Sequence, residues 1–375
     1  MKPKVICAGH ICLDITPVFD QQRTFNNISE ALQPGKLLYM DGVSVHTGGS
    51  VANTGLAMKL LENDVRLMGK VGDDAFGVMI RDLLAQYETG GLLVEKSAAT
   101  SYSVVLAVPG VDRIFLHDPG ANDSFSIEDI PWDELDETAL FHFGYPPVMK
   151  QMYTDNGDTL SSIFRRLKEM DIATSLDMCA IDPQSAAGRA DWRMILEKTL
   201  PYVDFFVPSF EELCWMLDRE TLQLLRESGG DITENLDLVK YAKPLAEKCI
   251  QMGCGTILVK CGLSGMYYKT ADHARVSQIG KRIGLDAEAW ANQENCQPCF
   301  EAEIVRSATG SGDVSIAAFL SAILTGESPQ RCVRLAAAEG AASVSGFDSL
   351  EGILSLEELE RRIDAGWKTR GEILC

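Results

Sequence analysis

The feature that most constrains the fold is a repeated alternation between short apolar runs and longer segments with helical spacing. The predicted strands are Val5–Ala8, Val65–Met68, Ala139–Phe143, Ala173–Leu176, Val203–Val207 and Thr256–Val259. The predicted helices are Val51–Leu61, Phe76–Tyr87, Leu160–Met170, Glu211–Leu217, Asp237–Met252, Val314–Leu324, Gln330–Val344 and Leu356–Ala365. Buried strands that alternate with helices are typical of βαβ units. We therefore predict an α/β fold with a mostly parallel sheet covered on both faces.

Two segments, about 15–47 and 100–119, interrupt this alternation. The first has a turn-like character with no helix longer than one turn, and the second contains two short runs on either side of Val108–Val111, which is typical of a β-hairpin. We predict that both form a small β-sheet beside the main sheet, able to serve as a lid within a single domain that spans 1–375. A third irregular stretch, 271–300, is long for a loop and is predicted to be functional or mobile.

Charge and hydropathy exclude two kinds of partner. The 34 Lys and Arg residues against 54 Asp and Glu residues give a net charge of −20, whereas a nucleic-acid binder needs the opposite sign. No apolar stretch reaches the roughly 18–20 residues of a membrane span, and the first residues do not read as a signal peptide. Eleven cysteines scattered through apolar segments predict reduced thiols. We therefore expect a cytoplasmic protein without nucleic-acid or membrane partners.

The strongest motif is Thr309-Gly310-Ser311-Gly312-Asp313, which opens an apolar helix. The two glycines allow several backbone N–H groups to point at one place, and the helix N-terminus adds roughly half a positive charge there. Such a turn can bind an anion without a basic side chain. Asp313, in the first helical turn, is placed where a general base for a hydroxyl nucleophile is needed. A plain glycine turn with a favourable first-turn aspartate explains the same residues.

A second glycine motif, Gly48-Gly49, leads into the helix that carries Asn53. The paired glycines permit close approach of a polar ligand, and the Asn53 amide offers both donor and acceptor atoms. Read alone, an ordinary turn and helix start explain the motif equally well. In the segment that follows, Gly69–Gly77, we predict that Asp74 caps the next helix.

Two later strand ends also carry polar residues. Ser209 and Glu212 form a Ser-x-x-Glu capping box, which requires no function, although it follows the strand predicted at 203–207. Lys260 and Gly262 likewise follow the end of another predicted strand, at 256–259. Open α/β sheets bind ligands at the carboxyl ends of their strands, so both places are candidates for ligand contact.

In this order, these segments resemble the ribokinase-like (PfkB) family of carbohydrate and nucleoside kinases. The resemblance extends from the first strand with Asp14 to the helix at Gln330–Val344, and its two signatures are Gly48–Asn53 with Gly69–Gly77, and Thr309–Asp313. It implies a three-layer α/β/α ribokinase-like fold with a mostly parallel sheet and a small β-sheet lid. It also implies ATP and Mg²⁺ as cofactors and a homodimer formed through the lid.

The resemblance further implies roles for individual residues. Asp313 is similar to the family's catalytic base, and the amides of Gly310, Ser311 and Gly312 to its anion hole for the transferred phosphoryl group. Positions similar to the substrate-binding residues are Asp14, Gly48, Gly49 and Asn53. Positions similar to the nucleotide-binding residues are Ser209, Glu212, Lys260 and Gly262, with Glu212 acting on magnesium indirectly, through water.

Three residues depart from the family pattern. Ser307 stands where an acidic residue usually begins the second signature, which leaves open the monovalent cation that activates many members. Ser209 replaces the usual Asn, so the magnesium role passes to Glu212. Ser50 occupies a position that varies with the substrate among family members, and a serine there does not indicate a particular substrate.

The activity implied by the resemblance is ATP-dependent phosphorylation of a hydroxyl group of a small sugar. A sugar is favoured over a nucleoside because no aromatic cluster for a base is evident, and we expect the lid and Phe143–Pro146 to decide the substrate. Two other classes stay open, a non-catalytic ligand-binding protein on a kinase scaffold and a redox or metal protein. The latter rests on Cys296 and Cys299, a lone Cys-x-x-Cys without a second pair at zinc spacing.

Overall fold

The fold is taken from a computed structural model, which describes residues 2–20, 22–87, 90–111, 113–227, 229–346, 348 and 350–371. Its strands are β1 (Lys4–Gly9), β2 (Cys12–Pro17), β3 (Val43–Gly48), β4 (Asp64–Gly72), β5 (Leu92–Glu95), β6 (Tyr102–Leu106), β7 (Ile114–Asp118), β8 (Thr138–Gly144), β9 (Ala173–Asp177), β10 (Phe205–Phe206), β11 (Thr256–Lys260), β12 (Met266–Thr270) and β13 (Glu294–Gln297).

Helices separate most of these strands. They are α1 (Ile28–Ala31), α2 (Ser50–Leu60), α3 (Ala75–Ala85), α4 (Lys150–Tyr153), α5 (Asp158–Glu169), α6 (Ala186–Arg189), α7 (Trp192–Thr199), α8 (Phe210–Leu217), α9 (Arg219–Glu227), α10 (Leu238–Gln251), α11 (His273–Val276), α12 (Ala287–Trp290), α13 (Ser311–Leu324), α14 (Pro329–Ser343) and α15 (Leu356–Asp364). The predicted cap of α3 is confirmed, since the Asp74 carboxylate accepts from the Gly77 N–H at 2.9 Å. In the described part of the chain, no helix is long and apolar enough to cross a membrane.

The main sheet has nine strands in the order β13-β12-β11-β10-β9-β8-β1-β4-β5. In this spatial order, the seven strands that begin with β11 and end with β5 are parallel to one another. Strands β12 and β13 extend the sheet beyond β11 with antiparallel pairing. Alternate residues of β1 enter different cores, because Val5 and Cys7 belong to one hydrophobic cluster and Ile6 and Ala8 to the other. The predicted α/β architecture with helices on both faces is therefore confirmed.

A smaller sheet of four strands lies in the order β3-β2-β6-β7. Strand β6 pairs with β7 as the predicted antiparallel hairpin, and β2 pairs with both β3 and β6. The strands fall largely within the two interrupting segments, and the only helix between β2 and β3 in the described residues is the single turn α1. That this sheet acts as a lid stays a prediction.

The stretch 271–300 is more regular than expected. It contains α11, α12 and β13, which pairs with β12 at the edge of the main sheet. The sequence does not predict strand β13, because Glu294–Gln297 is short and has no alternation of apolar and polar residues.

Among the described residues, the cysteines follow the expectation of reduced thiols with one exception. Nine of these are free, Cys299 included, and Cys375 lies outside the described residues. Cys296 is disulfide-bonded, so the prediction is wrong at that residue. In the described residues, no group of three or more His, Cys, Asp or Glu side chains is arranged to hold a metal ion.

Candidate active site

The centre of the site is the carboxylate of Asp313, in the first turn of α13. The helix begins after Gly310, whose φ of +77° suits glycine rather than a residue with a side chain. The rest of α13 is almost wholly buried, and Asp313 itself is only 4% exposed. A buried carboxylate on an apolar helix is costly unless partners compensate it.

Three side chains supply that compensation. The Asn53 amide and the Tyr145 hydroxyl donate to Oδ2 of Asp313 at 3.1 and 2.7 Å. The Thr54 hydroxyl donates to Oδ1 at 3.1 Å. Asn53 and Thr54 are neighbours on α2, which packs against α13, whereas Tyr145 follows the end of β8. The structure thus brings the two sequence motifs together at one carboxylate.

Burial raises the pKa of the Asp313 carboxyl above its usual range. The positive charge of Lys260 and the three donated hydrogen bonds act in the opposite direction, since each favours the ionised form. The site therefore holds a carboxylate that takes up a proton more readily than an exposed aspartate does. A general base benefits from that property.

Lys260 forms a buried ion pair below the site. Its ammonium lies 2.8 Å from Oδ1 of Asp177, and the two side chains are 12% and 2% exposed. A Cβ atom placed on Gly312 would lie 3.7 Å from Nζ of Lys260, so the ammonium lies beside the first turn of α13. Burial raises the pKa of Asp177 to about 8, and Lys260 opposes that shift.

A cleft of about 1020 Å³ lies at these strand ends. The predicted site residues that line it are Asp14, Gly49, Asn53, Glu212, Gly310 and Asp313. The predicted site residues that do not line it are Gly48, Ser209, Lys260, Gly262, Ser311 and Gly312. Of these, Gly48 lies against the lining residue Asp14, and Ser209 is hydrogen-bonded to the lining residue Glu212, whereas Gly262 packs against Thr233.

The glycine pair before α2 is required by close contacts. A Cβ atom on Gly48 would collide with the carboxylate of Asp14. Gly49 has a φ of +84°, and a Cβ atom there would lie 2.5 Å from the carbonyl oxygen of His10. The two glycines thus let the chain pass close to Asp14 and His10, where burial raises the pKa of the Asp14 carboxyl.

Some residues predicted to contact the nucleotide or its phosphoryl group also form hydrogen bonds with residues close to them in the chain. The Ser209 N–H donates to Oε2 of Glu212 at 2.7 Å, and the Glu212 N–H donates to Oγ of Ser209 at 3.3 Å, which confirms the capping box. The Ser311 N–H donates to the Ala308 carbonyl at 3.3 Å, so it is engaged within its own loop. Their roles toward a nucleotide stay predictions.

Sequence reasoning did not predict several contacts of the site. Tyr145 lies in the segment Phe143–Pro146 that was expected to decide the substrate, but its hydrogen bond to Asp313 was not predicted. Asp177 directly follows a predicted strand, so the rule that ligands gather at strand ends could have found it. Thr54 directly follows Asn53 and gave no signal of its own. Arg113, directly before β7, donates to Oγ of Ser307 at 2.9 Å, a long-range contact that a sequence pattern does not contain.

Comparison with known proteins assigns the chain to a family. The sequence profile of the pfkB family carbohydrate kinases matches residues 3–353. An uncharacterized sugar kinase of Archaeoglobus fulgidus is 24% identical over 80% of this chain and 98% of its own. The ATP-dependent ribose-1-phosphate kinase of Halopiger xanaduensis is 25% identical over 65% of this chain and 73% of its own.

Solved structures show the same fold. A putative ribokinase II from E. coli has a TM-score of 0.71 at 19% identity and covers 97% of this chain and 99% of its own. The fructokinase of Xylella fastidiosa, solved with bound ATP, has a TM-score of 0.70 at 18% identity with the same coverage. Since the family profile spans nearly the whole chain, the protein belongs to the pfkB family of carbohydrate kinases and is a phosphotransferase.

Proposed function

We propose that the protein transfers the γ-phosphoryl group of ATP to a hydroxyl group of a small sugar, with Asp313 as the general base. The observation that carries the proposal is a buried carboxylate that opens on the cleft and is held by donors from α2 and from the end of β8. Family membership supplies the reaction class.

In the proposed step, Asp313 takes the proton of the acceptor hydroxyl while the hydroxyl oxygen bonds to the γ-phosphorus. The bond from that phosphorus to the bridging oxygen breaks, and ADP leaves with the electron pair. The N-terminus of α13 and the ammonium of Lys260 stabilise the negative charge of the transferred group, because such transfers depend on positioning and electrostatics. The small sheet, in contact with Ser307 through Arg113, serves as a lid that excludes water.

Magnesium fits this site only together with the nucleotide. In the described residues no cluster could hold a divalent cation by itself, and Mg²⁺ is usually bound through one or two carboxylates, waters and substrate phosphates. Glu212 lines the cleft and is the residue that would hold it, through water. When bound, the ion neutralises charge on the phosphates.

The substitution Asp313→Asn tests the proposed mechanism. We expect turnover to fall at least about 100-fold, in the range of general-base loss, while ATP binding measured by calorimetry changes little. Release of ADP is followed with a panel of D-fructose, D-ribose, ribose 1-phosphate and nucleosides as acceptors. The exposed Asp171, substituted to Asn, is the control. Near-normal turnover in Asp313→Asn would contradict the proposal, and no ADP release by the unmodified protein with any acceptor would favour a non-catalytic role.

One observation favours a nucleoside acceptor as a second candidate. The cleft is lined by aromatic rings that the sequence did not reveal, with His10 at 5.0 Å from His117 and 6.1 Å from Tyr145 between ring centroids. Phe115 lines the same cleft. Flat rings of this kind can stack on a nucleobase. Turnover of nucleosides, but of no sugar in the panel, would select this candidate.

A further inference from the structure

Tyr145 has a backbone conformation that its own sequence disfavours. Its φ and ψ are 66° and 42°, in the left-handed region, and it is followed by Pro146. A bulky residue rarely adopts a positive φ, and a residue before proline is restricted further. Such conformations persist only where the surroundings hold them, and they gather at functional sites.

Contacts of both the ring and the backbone hold Tyr145 in place. Its ring stacks on His10, with centroids 6.1 Å apart and planes inclined by 26°. Its N–H donates to the carbonyl oxygen of Asp177 at 3.3 Å. The strained backbone and the stacked ring together aim the hydroxyl at Oδ2 of Asp313, 2.7 Å away.

The hydrogen bonds to Asp313 are distributed unequally between its two oxygens. Each carboxylate oxygen has two lone pairs. Oδ2 accepts from both Asn53 and Tyr145, so its lone pairs are used. Among the described residues, Oδ1 accepts a hydrogen bond from Thr54 alone, which leaves one of its lone pairs for a proton.

We infer that Tyr145 is a positioning residue for the general base, whose hydroxyl occupies Oδ2 of Asp313 and so directs proton uptake from the acceptor hydroxyl to Oδ1. The inference deepens, and in its catalytic part rests on, the proposed function. The part that concerns the carboxylate itself does not need a substrate. It follows from the contact geometry and the lone-pair count.

The titration of Asp313 reports on this contact. The titratable groups that face the carboxylate are Asp14, Tyr145, Asp177, Cys179 and Lys260. Lys260 and the tyrosine hydrogen bond favour the ionised form of Asp313, and burial opposes it. Removal of the hydroxyl alone should therefore raise the pKa of Asp313, because a donor to the charged form is lost.

The first test is Tyr145→Phe, which keeps the ring and removes only the hydroxyl. Carboxyl-¹³C NMR of aspartate-labelled protein follows the titration of Asp313, whose signal is identified by its absence in Asp313→Asn. We expect the midpoint to rise by about one pH unit. Tyr202→Phe, a tyrosine outside the cleft, is the matched control and should leave the midpoint where it is. An unchanged midpoint in Tyr145→Phe would overturn the inference.

A second variant tests the same hydrogen bond in the opposite direction. Site-specific 3-fluorotyrosine at position 145 has a more acidic hydroxyl and is a stronger donor, so the midpoint of Asp313 should fall. A merely structural role of the ring would not produce opposite shifts in the two variants. A midpoint that rises or stays in the fluorinated protein would contradict the inference.

Kinetics separates this inference from the proposed function. With an acceptor from the panel, Tyr145→Phe should lower kcat about tenfold and move the acid limb of its pH profile upward, with KM for ATP unchanged. In the Asp313→Asn background the same substitution should have no further effect, because the hydroxyl acts through the carboxylate. Turnover retained by Asp313→Asn would defeat the proposed function but not the NMR result. A lowered kcat with an unmoved acid limb would defeat the positioning role alone.

Discussion

At the scale of single residues, the ion pair beside the site differs from an exposed ion pair in how its charges are buried. Lys260 and Asp177 are 12% and 2% exposed, whereas Lys198 and Asp158, also in contact, are 38% and 67% exposed. An exposed pair contributes about 0–1 kcal/mol to stability. Removal of one partner from a buried pair leaves an uncompensated charge and costs far more.

The substitution Lys260→Met tests this difference. We expect the free energy of unfolding at about pH 8.5 to fall by about 3–5 kcal/mol, against less than about 1 kcal/mol for the control Lys198→Met. Urea denaturation measures both. Equal losses in the two variants would show that the buried pair is not special.

The pH dependence of Lys260→Met follows from the partner left behind. Burial holds the pKa of Asp177 at about 8 in the native protein, above the value near 4 of an unfolded chain. The folded state therefore binds the extra proton, and its stability falls as pH rises through that window. Loss of Lys260 raises the pKa of Asp177 further, so the destabilisation should be larger at about pH 8.5 than at about pH 5.5. A destabilisation that grows toward acid would contradict this assignment.

At the scale of elements, the site depends on how two helices begin. Helix α2 starts after Gly49 and delivers Asn53 and Thr54, and α13 starts after Gly310 and delivers Asp313. Both glycines have a positive φ, so each start is fixed by a residue without a side chain. A shift of either start would move donors relative to the carboxylate.

The substitution Gly49→Ala should disturb the first of these starts. Alanine at a φ of +84° is strained by about 1–3 kcal/mol, and its Cβ would also lie 2.5 Å from the His10 carbonyl oxygen. Gly326 has the same φ of +84° with nothing within 4 Å of a Cβ atom, so Gly326→Ala carries the strain without the collision. We expect both variants to lose stability in thermal unfolding and only Gly49→Ala to lose at least about tenfold in kcat. Similar kcat values in the two variants would mean that the close contact does not position the donors.

The elements also show how far the sequence could predict the molecule. The parallel strands and their helices were predictable because their apolar spacing is strong. Strand β13 was not predictable, because Glu294–Gln297 is a short and largely polar strand at the edge of the sheet. Asp313 could be singled out by its glycine turn. Tyr145 contacts Asp313, and Arg113 contacts Ser307 in the loop before it. Both contacts join residues far apart in the sequence, and local sequence patterns do not encode such contacts.

At the scale of the whole molecule, the net charge and the proposed substrate have the same sign. The chain carries a net charge of −20, so its long-range field repels a nucleoside triphosphate such as ATP. The cations at the cleft and beside it, among them Arg113, Arg306 and Lys260, act only at short range. Attraction by the fold as a whole therefore cannot account for nucleotide capture, and the local donors must supply it.

Ionic strength should then affect this protein in the opposite sense to a basic anion-binding protein. The Debye length shortens from about 30 Å at 0.01 M salt to about 8 Å at 0.15 M, which screens the repulsion and should raise kcat/KM for MgATP severalfold. The KM for a neutral sugar should stay constant and serves as the internal control. Choline chloride and KCl, compared in parallel, separate screening from activation by a small cation, since screening alone gives the same curve with both. A steep fall of kcat/KM with choline chloride would mean that a local positive field extends beyond the cleft and outweighs the charge of the chain.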